Sequence, residues 1–126
     1  MYLFTYGTLK KGGHFHPYLS INPNTEFIGN TILNGYRMYE TAGGGFPFIR
    51  GGDGVVHGEL YKLDDSMEAV LDRVEGYPDL YDKRIVQVQC GGDDSTHEYD
   101  ALVYVVTDKQ LPNHIITPKP IESGRW

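Results

Sequence analysis

A mostly β, turn-rich domain with one clear helix is what the sequence predicts, and three features of its 126 residues lead there. Sixteen glycines exceed the usual share of about 7% and supply turns along the whole chain. Ten tyrosines add an aromatic type that favours strands. Only one segment, near residues 67–74, repeats its apolar residues with a helical period. The length suits a single domain, residues 1–126, with one sizeable apolar interior.

Residues 2–6 are a short aromatic and β-branched run that stops at Gly7, and Gly12-Gly13 closes a glycine-bounded loop behind it. Partial alternation predicts three further strands over residues 25–33, 36–41 and 55–63. Asn34-Gly35 and the glycine-rich stretch 43–54 separate them, with a short strand possible at 46–50. Residues 83–90 and 97–107 flank Gly91-Gly92-Asp93-Asp94-Ser95, a polar connection suited to a hairpin. Both alternation sets of the second strand are apolar: Ala101, Val103 and Val105 on one side, Leu102, Tyr104 and Val106 on the other. Such a strand is expected to lie centrally with both faces covered.

Met67, Val70, Leu71 and Val74 fall at i, i+3, i+4 and i+7 and give a helix one apolar stripe. Asp65 as N-cap, with Glu68 three residues on, makes a capping-box-like start, and Gly76 and Pro78 end the helix. After Thr107 the prolines at 112, 118 and 120 remove any period, so a strap lying across the domain is expected there.

The net charge of −6 has the wrong sign for a general grip on nucleic acid or anionic lipid, so neither is an expected partner. No apolar run approaches the roughly 20 residues that cross a bilayer, and residues 1–6 are too short for a secretory h-region. Cys90 is the single cysteine, which fits a reducing compartment, and a cytoplasmic location is expected.

Chemistry is first suggested by Glu75. Stepping 100° per residue places it about a quarter turn from the centre of the apolar stripe, beside Leu71. It also stands at the helix C-terminus, where the macrodipole disfavours a carboxylate. Both effects raise proton affinity and suit a general acid or base. The loop Tyr6-Gly7-Thr8-Leu9-Lys10-Lys11-Gly12-Gly13 is a second candidate. Amides exposed at such a turn can hold an anion, and Gly7 admits a ligand close to the main chain. The Walker spacing is missing, so a nucleotide phosphate is not expected. His14 and His16 would project to one side of an extended segment, but no third ligand is specified and no metal is predicted. Cys90 has no recognisable catalytic partner, and no G-x-S-x-G occurs. The phenols of Tyr36, Tyr39, Tyr61, Tyr77, Tyr81 and Tyr104 are expected at the core rim, where any could donate into a pocket.

Five segments taken in order resemble one known family. They are Tyr6-Gly7-Thr8-Leu9-Lys10-Lys11-Gly12, Gly44-Gly45-Phe46-Pro47, Val56-His57-Gly58-Glu59-Leu60-Tyr61, the run from Leu71 through Glu75-Gly76-Tyr77-Pro78 to Tyr81, and Ser123-Gly124-Arg125-Trp126. The pattern is similar to that of γ-glutamylcyclotransferase-like proteins of the AIG2-like branch, close to γ-glutamylamine cyclotransferases, and spans the chain. The resemblance implies an α+β fold, a small mixed β-barrel with short helices packed outside. It implies that Tyr6, Gly7, Thr8 and Leu9 hold the substrate, that Glu75 is the acid/base and that Tyr81 lines the pocket. The implied reaction cyclises a γ-glutamyl amine or amino compound to 5-oxoproline with release of the amine, and needs no cofactor. Phe15 departs from the family pattern, which often has Asn there, and this bears on the loop's internal hydrogen bonding. A small-molecule binding or interaction protein on the same fold is the alternative reading; a carboxylate at the helix end favours the enzyme.

Overall fold

The computed structural model describes residues 1–40, 46–92, 95–114 and 119–126. In chain order these form β1 (Tyr2–Thr5), α1 (Pro17–Ser20), β2 (Glu26–Glu40), β3 (Pro47–Lys62), α2 (Met67–Glu75), β4 (Asp82–Gly92), β5 (Ser95–Val105), a 3₁₀ turn (Leu111–Asn113) and β6 (Lys119–Pro120). The lateral order is β3-β1-β5-β4-β2, and β2 pairs again with β3, so five strands close a barrel. β1 runs parallel to β5 while the other neighbours are antiparallel, which makes the barrel mixed.

Strand β5 lies between β1 and β4, as its doubly apolar pattern predicts. Ala101, Val103 and Val105 join Phe4, Met38 and Leu60 in one buried cluster that fills the barrel. Leu102 and Tyr104 belong to a second cluster, in which Leu19 from α1 and Met67 and Leu71 from α2 cover the outer face. The two helices therefore pack outside the barrel on the face that leads to β1.

The strands expected at 25–33 and 36–41 are one strand, β2, and those at 46–50 and 55–63 are one strand, β3. The two stay paired from Glu26 opposite Lys62 to Glu40 opposite Pro47. Asn34-Gly35 reads as a turn in sequence, yet here Gly35 takes φ 84° at a register shift, and the ladder bends through a bulge without ending. The barrel's seam is thinner: β2 meets β4 at Ile32 opposite Gln89, reinforced by the Thr31 hydroxyl donating to the Gln89 carbonyl. The hairpin turn expected at Asp93-Asp94, the strand end at Thr41, the motif glycines Gly44-Gly45 and Pro118 lie outside the described residues.

Helix α2 starts one residue later than its capping pattern suggests. Its N-cap is Ser66, and no side chain caps it. Asp65 instead accepts from the Met1 nitrogen at 3.0 Å, and the Glu68 carboxylate accepts from Lys83 at 2.7 Å, so both acids are drawn away by tertiary partners. At the other end Gly76 takes φ 69° and closes the helix as expected. The helix α1 was not apparent in the sequence; Pro17 opens it.

The strap after Thr107 is real but contains two short elements, the 3₁₀ turn and β6. Lys119 and Pro120 pair with Glu40 and Tyr39, the Ile121 N–H donates to the Met38 carbonyl and the His57 N–H donates to the Gly124 carbonyl, both at 2.8 Å. A two-residue edge pairing tolerates a proline that cannot donate. Among the described residues no helix is long and apolar enough to cross a membrane.

Candidate active site

Strand β1 ends by delivering Tyr6, and the chain then folds into a loop held by its own main chain. The Lys10 N–H donates to the Gly7 carbonyl (3.0 Å), the Gly13 N–H to Lys10 (2.7 Å) and the Phe15 N–H to Thr8 (2.8 Å). His16 Nδ1 pairs with the Leu9 carbonyl at 2.9 Å. Gly13 is required here, because a Cβ would sit 2.3 Å from the Thr8 oxygen. The departure at Phe15 leaves the loop closed: its amide N–H makes the closing bond, and its ring packs beside Tyr18 on the outer core cluster. All these bonds use carbonyls of the first loop residues. The N–H groups of Gly7, Thr8 and Leu9 make no hydrogen bond among the described residues. Three consecutive unpaired amides are available to an anionic or carbonyl ligand.

Glu75 is the last residue of α2. It is partly buried, and its carboxylate has no hydrogen-bond partner among the described residues. Burial pushes its carboxyl up to about 7. The left-handed turn at Gly76 reverses the chain and returns Tyr81, whose hydroxyl donates to the Pro47 carbonyl at 2.9 Å. Tyr6, Gly7, Thr8, Leu9, Glu75 and Tyr81 all line one small cavity of about 30 Å³, so the structure brings together every residue that the sequence points to for the site.

Phe46, Pro47 and Tyr104 also line this cavity. The sequence puts Tyr104 no further in than the core rim; the alternation of β5, which groups it with Leu102 on the helix-covered side, is the pattern that points to this place. Three phenols therefore surround Glu75, and each has its proton committed elsewhere. Tyr6 donates to the Tyr104 carbonyl (2.8 Å), Tyr81 to Pro47, and Tyr104 to Asp72 Oδ1 (2.8 Å). Burial first, and then nearby negative charge including Glu75, pushes all three phenols up, so they stay neutral donors. None of the three donates to the Glu75 carboxylate.

His14 stacks edge-on against Phe15, and His16 is bound to the loop and lies 5.9 Å from the Tyr61 ring. Among the described residues no group of three His, Cys, Asp or Glu side chains is arranged to hold a metal.

Known proteins share the chain's sequence pattern and fold. Residues 3–126 match the family model described as gamma-glutamyl cyclotransferase, AIG2-like. A Danio rerio protein named gamma-glutamylaminecyclotransferase B is 34% identical over 123 residues; the match covers 92% of this chain and 64% of that protein, so the chain spans less than two thirds of its length. The gamma-glutamylcyclotransferase family protein YtfP of Escherichia coli K12 is 31% identical over 127 residues, covering 100% of this chain and 96% of YtfP. The crystal structure of an AIG2-like protein from Mus musculus superposes with a TM-score of 0.74 at 25% identity, over 94% of this chain and 84% of that one. With barrel, loop, helix and strap all inside the matched region, the chain belongs to the gamma-glutamyl cyclotransferase, AIG2-like, family.

Proposed function

We propose that this protein cyclises the γ-glutamyl group of a γ-glutamyl amine or amino compound to 5-oxoproline and releases the free amine. One observation carries the reading: Glu75, partly buried and without a hydrogen-bond partner among the described residues, shares its cavity with the amides of Gly7, Thr8 and Leu9, which are likewise unpaired among those residues. The substrate supplies both reacting groups, so the protein needs to fold it and move protons. Glu75 takes a proton from the α-ammonium. The freed amine attacks the γ-carbonyl carbon, a C–N bond forms and the carbonyl becomes an oxyanion. Collapse of this intermediate breaks the original amide C–N bond. Two protons in all leave the attacking nitrogen and two reach the departing one, which exits as an ammonium, so Glu75 acts as base and then as acid. The loop amides hold the α-carboxylate or the oxyanion. Tyr6 and Tyr81 wall the pocket against water. A cytoplasmic setting is supported by the lone Cys90, buried as a free thiol.

The test is incubation with a panel of γ-glutamyl amines and γ-glutamyl amino acids, assayed for 5-oxoproline. The reading requires at least one member to yield equal amounts of 5-oxoproline and free amine. Failure across the panel, with 5-oxoproline still binding, would favour a binding protein instead.

A further inference from the structure

Helix α2 has nine residues; Met67 and Leu71 are buried and Val70 packs against the same cluster, so apolar packing covers one narrow stripe of it. A polar clamp does more. Lys83 on β4 stands directly opposite Tyr104 on β5 in the antiparallel ladder. Its Nζ lies 2.9 and 3.1 Å from the two oxygens of Asp72 and 2.7 Å from Glu68, and 4.4 Å from the centre of the Tyr77 ring. The Tyr104 hydroxyl donates to the same Asp72 at 2.8 Å. Asp72 precedes Glu75 by three residues, on a neighbouring position of the same helical face. The carbonyl of Tyr104 meanwhile accepts from Tyr6, the residue that leads into the substrate loop. Tyr104 thus touches the loop side of the cavity with its main chain and the helix side with its hydroxyl.

Partly exposed ion pairs of this kind contribute little to stability. Their consequence here is geometric, because a short helix free to rotate would swing Glu75 out of the cavity. We infer that Tyr104, acting through Asp72 and together with Lys83, is a positioning residue that holds Glu75 in the cavity opposite the loop amides. The inference rests on Glu75 being the acid/base group. Among the described residues, the ionisable groups facing Glu75 are Tyr6 at the end of β1, Tyr81 behind α2 and Tyr104 on β5, while Asp72 and Glu68 on its own helix and Lys83 on β4 form the clamp. None of them donates to Glu75, so its proton affinity depends on where the helix keeps it.

The experiment follows the Glu75 side-chain carboxyl by ¹³C NMR against pH, assigned with Glu75→Gln, in the wild type, Tyr104→Phe and Lys83→Met. Steady-state kinetics are measured alongside on the best panel substrate. Tyr104→Phe deletes one oxygen and keeps the ring, so it folds even if Lys83→Met does not. With the clamp broken, the midpoint falls from about 7 toward the ordinary Glu value of about 4.3. kcat falls on the order of 10-fold with KM little changed, as misplacement of a catalytic group requires. A folded Tyr104→Phe protein with a wild-type midpoint and wild-type kcat would overturn the positioning role and leave the cyclotransferase reading standing. A midpoint that falls in the variants of a protein that makes no 5-oxoproline would support the positioning role and overturn that reading.

Discussion

Gly7 rests directly on Pro47: a Cβ at position 7 would lie 2.8 Å from the Pro47 Cγ. Pro47 in turn holds Tyr81 through its carbonyl. The loop, the start of β3 and the tyrosine behind α2 are therefore linked at one wall of the cavity. Read from sequence, Gly7 simply leaves space for a ligand. In the fold it also leaves space for Pro47.

Gly7→Val should accordingly do two things. Displacing Pro47 should destabilise the protein by about 1–3 kcal/mol, as overpacking does. It should also weaken 5-oxoproline binding by disturbing the loop amides and Tyr81. Thermal denaturation and calorimetric titration of the product measure the two effects, and unchanged product affinity in the folded variant would remove the loop from the site.

Glu75→Gln keeps the side chain's shape but cannot carry a proton. Turnover should fall by roughly 10²-fold or more, while substrate affinity changes little. Near wild-type release of 5-oxoproline by this variant would rule out Glu75 as the proton carrier.

The same carboxyl sets a pH dependence. It must be ionised to accept the first proton, so the rate should rise with pH through about 7, and this limb should vanish in Glu75→Gln. Stability runs the other way. The folded state holds this proton more tightly than the unfolded chain, whose Glu titrates near 4.3, so stability falls as pH rises between about 4.3 and 7. The loss is on the order of 3 kcal/mol and is complete above pH 7. Urea denaturation should therefore find Glu75→Gln stabilised relative to wild type by more at pH 8 than at pH 5.

Val103 is fully buried inside the barrel on the central strand. Val103→Asp places an unpaired carboxylate there and should cost several kcal/mol, enough to abolish cooperative folding. Circular dichroism melts decide it, and a wild-type Tm would contradict the central placement of β5.

Gly124 fastens the closing strap to β3. It takes φ 68°, and a Cβ there would lie 2.0 Å from the Val55 carbonyl oxygen. Gly124→Ala should release the strap from His57, read as faster hydrogen exchange at the His57 amide, with the barrel core unchanged.

What the sequence by itself determined is whatever depends on near neighbours along the chain. The helix at Met67–Glu75, its end at Gly76 and the covered strand around Val103 follow from periodicity and local conformational preference, which act over a few residues. Glu75 was legible for the same reason, since its place at the helix end and beside the apolar stripe is set within the helix. Tertiary structure decided the rest. Asn34-Gly35 has identical local chemistry whether it ends a hairpin or bulges within a long strand, and only pairing of β2 with β3 across the barrel selects the bulge. Asp65 and Glu68 satisfy a capping pattern, but Met1 and Lys83 take their carboxylates once the fold brings them near. The walls of the cavity depend on bonds between distant residues: Tyr81 and Pro47 are 34 positions apart, and Tyr6 and Tyr104 are 98 apart. No periodicity spans such separations. Those contacts, and the burial that raises the proton affinity of Glu75, come into existence only when the barrel closes.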